Sequence, residues 1–212
     1  MKKMNLPNKL TVLRMIMVPI FVVVMMASNA LWADLVGLFL FAAASITDML
    51  DGKIARRYNL VTDFGKFMDP LADKFMVIGA MMVILYKNLT AETPNRWFGI
   101  LFFCALMIVV FRELAVTAMR LVVSGSSGIV VAANMLGKIK TVSQIVFVIA
   151  TLIEPLIYPT AEVIVQVVPM TWLACLSDIL PLTLASGIVM AFFTVWSGIH
   201  YIVSLWKYIE TK

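Results

Sequence analysis

Four aspartates in an otherwise apolar chain are the residues best suited to chemistry. Asp48 and Asp51 stand in Ser45-Ile46-Thr47-Asp48-Met49-Leu50-Asp51-Gly52, and Asp69 and Asp73 in Met68-Asp69-Pro70-Leu71-Ala72-Asp73. Separations of three and four residues put each pair on one helix face. Two helices joined by a short turn can bring the pairs together. Four carboxylates held close repel one another, and divalent cations offset that repulsion. Hard oxygen ligands favour Mg²⁺, Mn²⁺ or Ca²⁺ over zinc. A charge near the hydrocarbon centre of a bilayer costs about 2.5–3.5 kcal/mol, so ionisable residues there are functional candidates. The plainer reading, solvated carboxylates at a helix–turn–helix, is opposed by the strongly apolar segments on both sides.

The neighbouring residues fit a nucleotide diphosphate. Gly52 removes a side chain beside Asp51, where a ligand could approach the backbone. Ala55 continues the face of Asp48 and Asp51 with little bulk, and Arg56 at the membrane edge suits a phosphate. Gly65, four residues before Asp69, opens the facing wall. The single histidine, His200, excludes a Ser-His-Asp triad, a zinc-binding histidine pair and a di-histidine iron site within this chain. Its place in the last apolar segment suits a hydrogen-bonded structural role. Cys104 and Cys175 form no Cys-x-x-Cys motif and imply neither a disulfide framework nor a metal site.

The elements that must position these residues are membrane spans. The chain of 212 residues is 62% hydrophobic and 14% charged, with a mean hydropathy of +0.99. Soluble domains carry about 25% charged residues, so lipid must cover part of this surface. Apolar runs at about 10–28, 34–56, 67–87, 97–123, 141–158 and 180–206 predict six transmembrane helices in one all-α domain, residues 1–212. The stretch from Glu154 to Asp178, with Pro155, Pro159 and Pro169 in it and Pro181 just after it, is expected to be an interfacial helix or a longer loop. Arg14 interrupts the first apolar run early, which favours a retained helix over a cleaved signal peptide.

Basic residues orient the spans. Lys2, Lys3, Lys9, Arg14, Lys53, Arg56, Arg57, Lys66, Lys74, Arg112, Arg120, Lys138, Lys140, Lys207 and Lys212 fall on one side, leaving only Lys87 and Arg96 of the 17 on the other. The positive-inside rule places both termini and the aspartates at the cytoplasmic face. The net charge of +5 then reflects topology and anionic lipid rather than nucleic acid.

The pattern Asp48-x2-Asp51-Gly52-x2-Ala55-Arg56-x8-Gly65-x3-Asp69-x3-Asp73 resembles, without departure, the signature of the CDP-alcohol phosphatidyltransferase family. The resemblance implies that Asp48, Asp51, Asp69 and Asp73 hold two divalent ions, Mg²⁺ or Mn²⁺. It implies a cytidine diphosphate site lined by Asp51, Gly52, Ala55, Arg56, Gly65 and Asp69, with Asp73 as the catalytic base. A homodimer is also expected of the family. Asp73 would deprotonate the acceptor alcohol, whose oxygen attacks the phosphorus bearing diacylglycerol and releases CMP.

The acceptor is read from the remaining charges. Arg112 and Arg120, eight residues apart on one face, join Lys138 and Lys140 in a basic pocket suited to an anionic alcohol. The segments Asn5–Arg14, Asp69–Lys74, Phe111-Arg112-Glu113 and Gly137–Thr141 resemble the bacterial branch of the family whose acceptor is sn-glycerol 3-phosphate. By that resemblance Thr11 and Arg14 join Arg112, Arg120, Lys138 and Lys140 around the acceptor phosphate, and the bacterial plasma membrane is the site of action. A cardiolipin synthase of the same family, or a member with another acceptor, is the nearest rival. Intramembrane prenyltransferases lack the frame of Gly52, Ala55, Arg56 and Gly65. A cation transporter would need acidic residues across the whole membrane, whereas Asp34, Glu92, Glu154, Glu162 and Asp178 are expected in outer connections.

Overall fold

The computed structural model describes residues 5–58, 60, 62–91, 95–127, 135–167 and 180–206, the side chains of Arg56, Lys66 and residues 126–127 and 158–167 excepted. The described residues form six α-helices and no strand: α1 Leu6–Ala27, α2 Leu31–Arg57, α3 Asp63–Thr90, α4 Arg96–Ser127, α5 Met135–Val167 and α6 Pro181–Trp206. Each apolar run thus has its helix. Several helices extend beyond the apolar runs because polar residues cap them. The Asn5 side chain accepts from the Asn8 N–H at 3.2 Å, and the Thr62 hydroxyl accepts from the Gly65 N–H at 3.1 Å.

Five helical stretches, Leu6–Ala27, Leu31–Ala55, Arg96–Gly125, Met135–Ile157 and Pro181–Trp206, are long and apolar enough to cross a membrane. The third helix, at 28 residues, has the length, but carries Asp69, Asp73, Lys74 and Lys87 along it. It packs against α1, α2, α4 and α5, more partner helices than any other helix among the described residues. Its buried face, including Ala72, Met76, Ala80, Met81 and Ile84, joins Phe21, Phe41, Phe102 and Phe147 in the main core.

Helix α1 buries Pro7, Thr11, Arg14, Val18, Phe21 and Met25, a stripe with alternating steps of four and three. Its upper part is an ordinary apolar seam, and its lower part carries polar groups into the same seam. At Gly37 a Cβ would come within 2.3 Å of Met25 Sδ, so the glycine lets α1 and α2 approach closely. Phe39, Phe67, Trp97 and Phe111 point outward and are largely exposed, as lipid-facing side chains would be.

Residues 154–167 depart from a simple connection. Helix α5 continues through Pro155 and Pro159 to Val167, and residues 168–179 lie outside the described set, as does Glu92. Glu154, expected in an outer connection, is instead buried within α5. Its carboxylate accepts from the Leu182 and Thr183 N–H groups at 2.7 and 2.8 Å, so it satisfies the free backbone donors at the start of α6. Asp34, likewise expected in a connection, is buried in α2 and accepts from Lys87 Nζ at 2.6 Å.

Glu154→Ala leaves the buried Thr183 N–H and the partly buried Leu182 N–H without this acceptor, at about 1–3 kcal/mol for the buried group. Thermal unfolding in detergent is expected to show a clear loss of stability, partly recovered in Glu154→Gln, which keeps one acceptor. Equal stability of all three proteins would contradict the capping role.

Candidate active site

The start of α1 is tied to the connection between α2 and α3. Asn5 Nδ2 donates to the Leu60 carbonyl at 2.9 Å, and the Thr62 hydroxyl donates to Asn8 Oδ1 at 2.9 Å. A Cβ on Gly65 would stand 3.3 Å from Asn8 Oδ1 and 3.7 Å from Asp69 Oδ2. The glycine therefore leaves room for Asn8 to sit beside the acidic face of α3. Further along α1, the Thr11 hydroxyl donates to Asp69 Oδ1 at 2.7 Å, with the Pro7 carbonyl at 3.2 Å as its alternative acceptor.

Arg14, one turn on, has no solvent-exposed side-chain surface. Its Nη1 meets Asp48 Oδ1 at 2.5 Å and Asp73 Oδ1 at 2.6 Å, and its Nη2 donates to Asp51 Oδ2. All four aspartates predicted as one cluster therefore gather around two side chains of α1. The guanidinium lies among three of them. Among the described residues, no three acidic, histidine or cysteine side chains converge on one metal-sized point. Asp51 is the deepest, with 4% of its side chain exposed, followed by Asp48 at 26% and Asp73 at 42%. Of the three carboxylates that Arg14 contacts, Asp73 is the most open.

The donor set fits hard divalent cations, since carboxylate oxygens alone provide it. One guanidinium against Asp48, Asp51 and Asp73 leaves two carboxylate charges uncompensated when all three are ionised. A buried group of this kind is held by the completeness of its pairing.

A second cluster joins α4, α5 and α6. Glu113 Oε1 accepts from Lys140 Nζ and, at 3.3 Å, from Arg112 Nη1. The guanidinium carbons of Arg112 and Arg120 stand 5.7 and 4.7 Å from the centre of the Tyr201 ring. Among the described residues, neither Arg112 Nε nor Arg120 Nε has a hydrogen-bond partner. Gly198 allows the contact, because a Cβ there would lie 3.2 Å from Arg112 Cγ. Lys74, next to Asp73 in sequence, donates to Thr117 Oγ1 of α4 at 2.7 Å and so links α3 to this helix.

Arg112, Arg120 and Lys140 are thus brought together. Lys138 is exposed two residues from the buried Lys140, a step that turns it to another face of α5. Thr11 and Arg14, grouped by resemblance with the acceptor-binding cations, contact the aspartates. Gly52 and Ala55 are half-buried on α2; the Arg56 side chain lies outside the described residues. His200 is exposed, its ring edge-on to Tyr201 with centroids 6.4 Å apart.

Sequence reasoning missed the contributions of Asn5, Asn8, Glu113 and Tyr201. For Asn8, a signal was present: Asn8, Thr11 and Arg14 recur every three residues at the head of an apolar helix. Tyr201 carried none, being one aromatic among several in the last span.

Residues 4–204 match the family described as CDP-alcohol phosphatidyltransferase. The chain belongs to the CDP-alcohol phosphatidyltransferase family. A relative from Bacillus subtilis (strain 168), named CDP-diacylglycerol–glycerol-3-phosphate 3-phosphatidyltransferase, is 38% identical over 98% of both chains. Proteins of the same name from Rickettsia typhi and Salmonella typhimurium are 41% and 38% identical, over 55% and 67% of this chain and 58% and 73% of theirs. The segment from Asp48 to Asp73, whose pattern resembles the family's signature, covers the end of α2, the connection and the start of α3. In space it is completed by α1, which lies outside the signature and supplies Asn8, Thr11 and Arg14.

Glu113→Ala leaves Lys140 buried without its carboxylate, for which a loss of about 3–5 kcal/mol is expected. Adding Lys140→Met removes the stranded charge. Unfolding measurements should then show a coupling of about 0.5–3 kcal/mol between the two positions. Strict additivity would mean that the pair does not act as a unit.

Proposed function

We propose that this chain transfers the phosphatidyl group of CDP-diacylglycerol to sn-glycerol 3-phosphate, yielding phosphatidylglycerophosphate and CMP. The observation that carries this reading is the proximity of two opposite clusters. Four aspartates gather at the α1–α2–α3 junction, and Arg112, Arg120 and Lys140 gather behind α3, with Lys74 and Thr117 bridging the two sides. The name shared by the relatives, one of them full-length, agrees with it.

The aspartates serve the donor. When bound, Mg²⁺ or Mn²⁺ ions held by Asp48, Asp51, Asp69 and Asp73 would offset the diphosphate charge and stabilise CMP as a leaving group. Asp51, Gly52, Ala55, Arg56, Gly65 and Asp69 line the cytidine diphosphate. Asp73, the most open of the carboxylates contacted by Arg14, accepts the proton of the acceptor hydroxyl. The acceptor oxygen then bonds to the phosphorus bearing diacylglycerol as the bond to CMP breaks.

The basic cluster serves the acceptor. Arg112 and Arg120 present guanidinium groups over Tyr201, and each keeps an Nε–H without a partner among the described residues, suited to a phosphate. Glu113 holds Lys140 and Arg112 in place. Lys138 adds positive charge at the surface nearby.

The bundle works as one unit of six spans in a bacterial plasma membrane, as a homodimer, with both termini and the site at the cytoplasmic face. Helix α3 is the sixth span: its charged residues are tolerable because they meet partners on the helices packed against it. The positive-inside distribution supports the orientation.

Purified protein in nanodiscs, given CDP-diacylglycerol and Mg²⁺, is expected to release CMP with glycerol 3-phosphate and not with serine, inositol phosphate or phosphatidylglycerol. CMP release with one of those alcohols alone would overturn the acceptor assignment. Asp73→Asn is expected to lower turnover by at least a hundredfold with nucleotide binding retained. Arg112→Ala should raise the KM for glycerol 3-phosphate tenfold or more while leaving the KM for CDP-diacylglycerol nearly unchanged. Equal effects on both constants would place Arg112 outside the acceptor site.

A further inference from the structure

One side chain joins the three helices of the carboxylate cluster, and it is not a carboxylate. Arg14 of α1 reaches Asp48 and Asp51 of α2 and Asp73 of α3 while wholly buried. Its Nε has no hydrogen-bond partner among the described residues, and the polar contacts it makes there are with carboxylates that metal ions would also claim. Nη1 already occupies the same oxygens, Asp48 Oδ1 and Asp73 Oδ1, at 2.5 and 2.6 Å. A divalent ion about 2.0–2.1 Å from either oxygen, the distance usual for Mg²⁺, could not share that position with a guanidinium. Asp69 is held separately by the Thr11 hydroxyl, so every carboxylate of the cluster has a donor from α1.

We propose that Arg14 is a positioning residue that serves as the cluster's internal counter-cation. It holds Asp48, Asp51 and Asp73 in register before divalent ions arrive and gives up their oxygens as the ions bind. The proposal rests on the metal-binding reading above. The forked guanidinium matters because one planar group addresses carboxylates from two helices, which a single ammonium cannot do with the same geometry. Without it, three carboxylates on adjacent helices would face one another uncompensated.

The test uses the full chain in nanodiscs and reads metal binding and stability rather than activity. Mn²⁺ is titrated by electron paramagnetic resonance against wild type, R14K and R14Q, and melting temperatures are recorded in EDTA and in saturating Mn²⁺. R14Q is expected to bind Mn²⁺ at least tenfold more tightly than wild type, because the competitor is gone. It should melt lower than wild type in EDTA and regain most of that difference in Mn²⁺. R14K should fall between the two in affinity, which keeps the test decisive where R14Q does not fold without metal. Mn²⁺ binding no tighter in either variant, or a melting deficit that Mn²⁺ leaves untouched, would make Arg14 a structural residue only. Failure of wild type itself to bind Mn²⁺ would remove the metal reading and this inference with it.

Discussion

The structure turns on a charge problem solved inside an apolar bundle. Asp48, Asp51 and Asp73 bring negative charge to a junction of three helices, and Arg14 meets all three there. Carboxylates so close are tolerable when a cation lies among them or a proton is shared between them, and here the cation is Arg14. That requirement fixes the register of α1 against α2 and α3. It explains why the buried stripe of α1 changes from Val18, Phe21 and Met25 to Thr11 and Arg14 near the site. The rest of the bundle follows: α3 must be enclosed to carry its charges, and α4 and α5 provide the enclosure.

A second ionic group sits behind the first with the opposite balance. Glu113 is shared by Lys140 and Arg112, and Arg112 and Arg120 face Tyr201. One cluster is short of positive charge and the other has more cations than carboxylates. A reaction between an anionic diphosphate that needs counter-ions and an anionic acceptor that needs cations uses both. The apolar core around Phe41, Met81, Phe102 and Phe147 packs the helices that carry the two clusters together, and the Lys74–Thr117 hydrogen bond ties them as well.

Much of this was legible in the sequence, because hydropathy and helical period are local properties. The six helices, the two aspartate pairs and the grouping of Arg112, Arg120 and Lys140 could all be read that way. What was not legible depends on which distant residue a charge meets. Arg14 reads as one more cation on the basic side, yet its partners lie in the next two helices. Glu154 reads as a connection carboxylate because prolines follow it, whereas the helix continues and the carboxylate caps the start of α6. Lys138 and Lys140 look equivalent in a run of basic residues; only one of them is buried. Tyr201 acquires its place from the arginines above it, which no spacing rule within α6 reveals.

The central claim is that the aspartates around Arg14 form the cation-dependent heart of a CDP-alcohol phosphatidyltransferase. Anomalous scattering from crystals grown with Mn²⁺ and CDP-diacylglycerol tests it most directly. The account predicts manganese peaks among Asp48, Asp51, Asp69 and Asp73, beside the donor diphosphate, with the Arg14 guanidinium moved off their oxygens. Manganese bound elsewhere, or a donor seated at the aspartates with no metal and Arg14 unmoved, would contradict it.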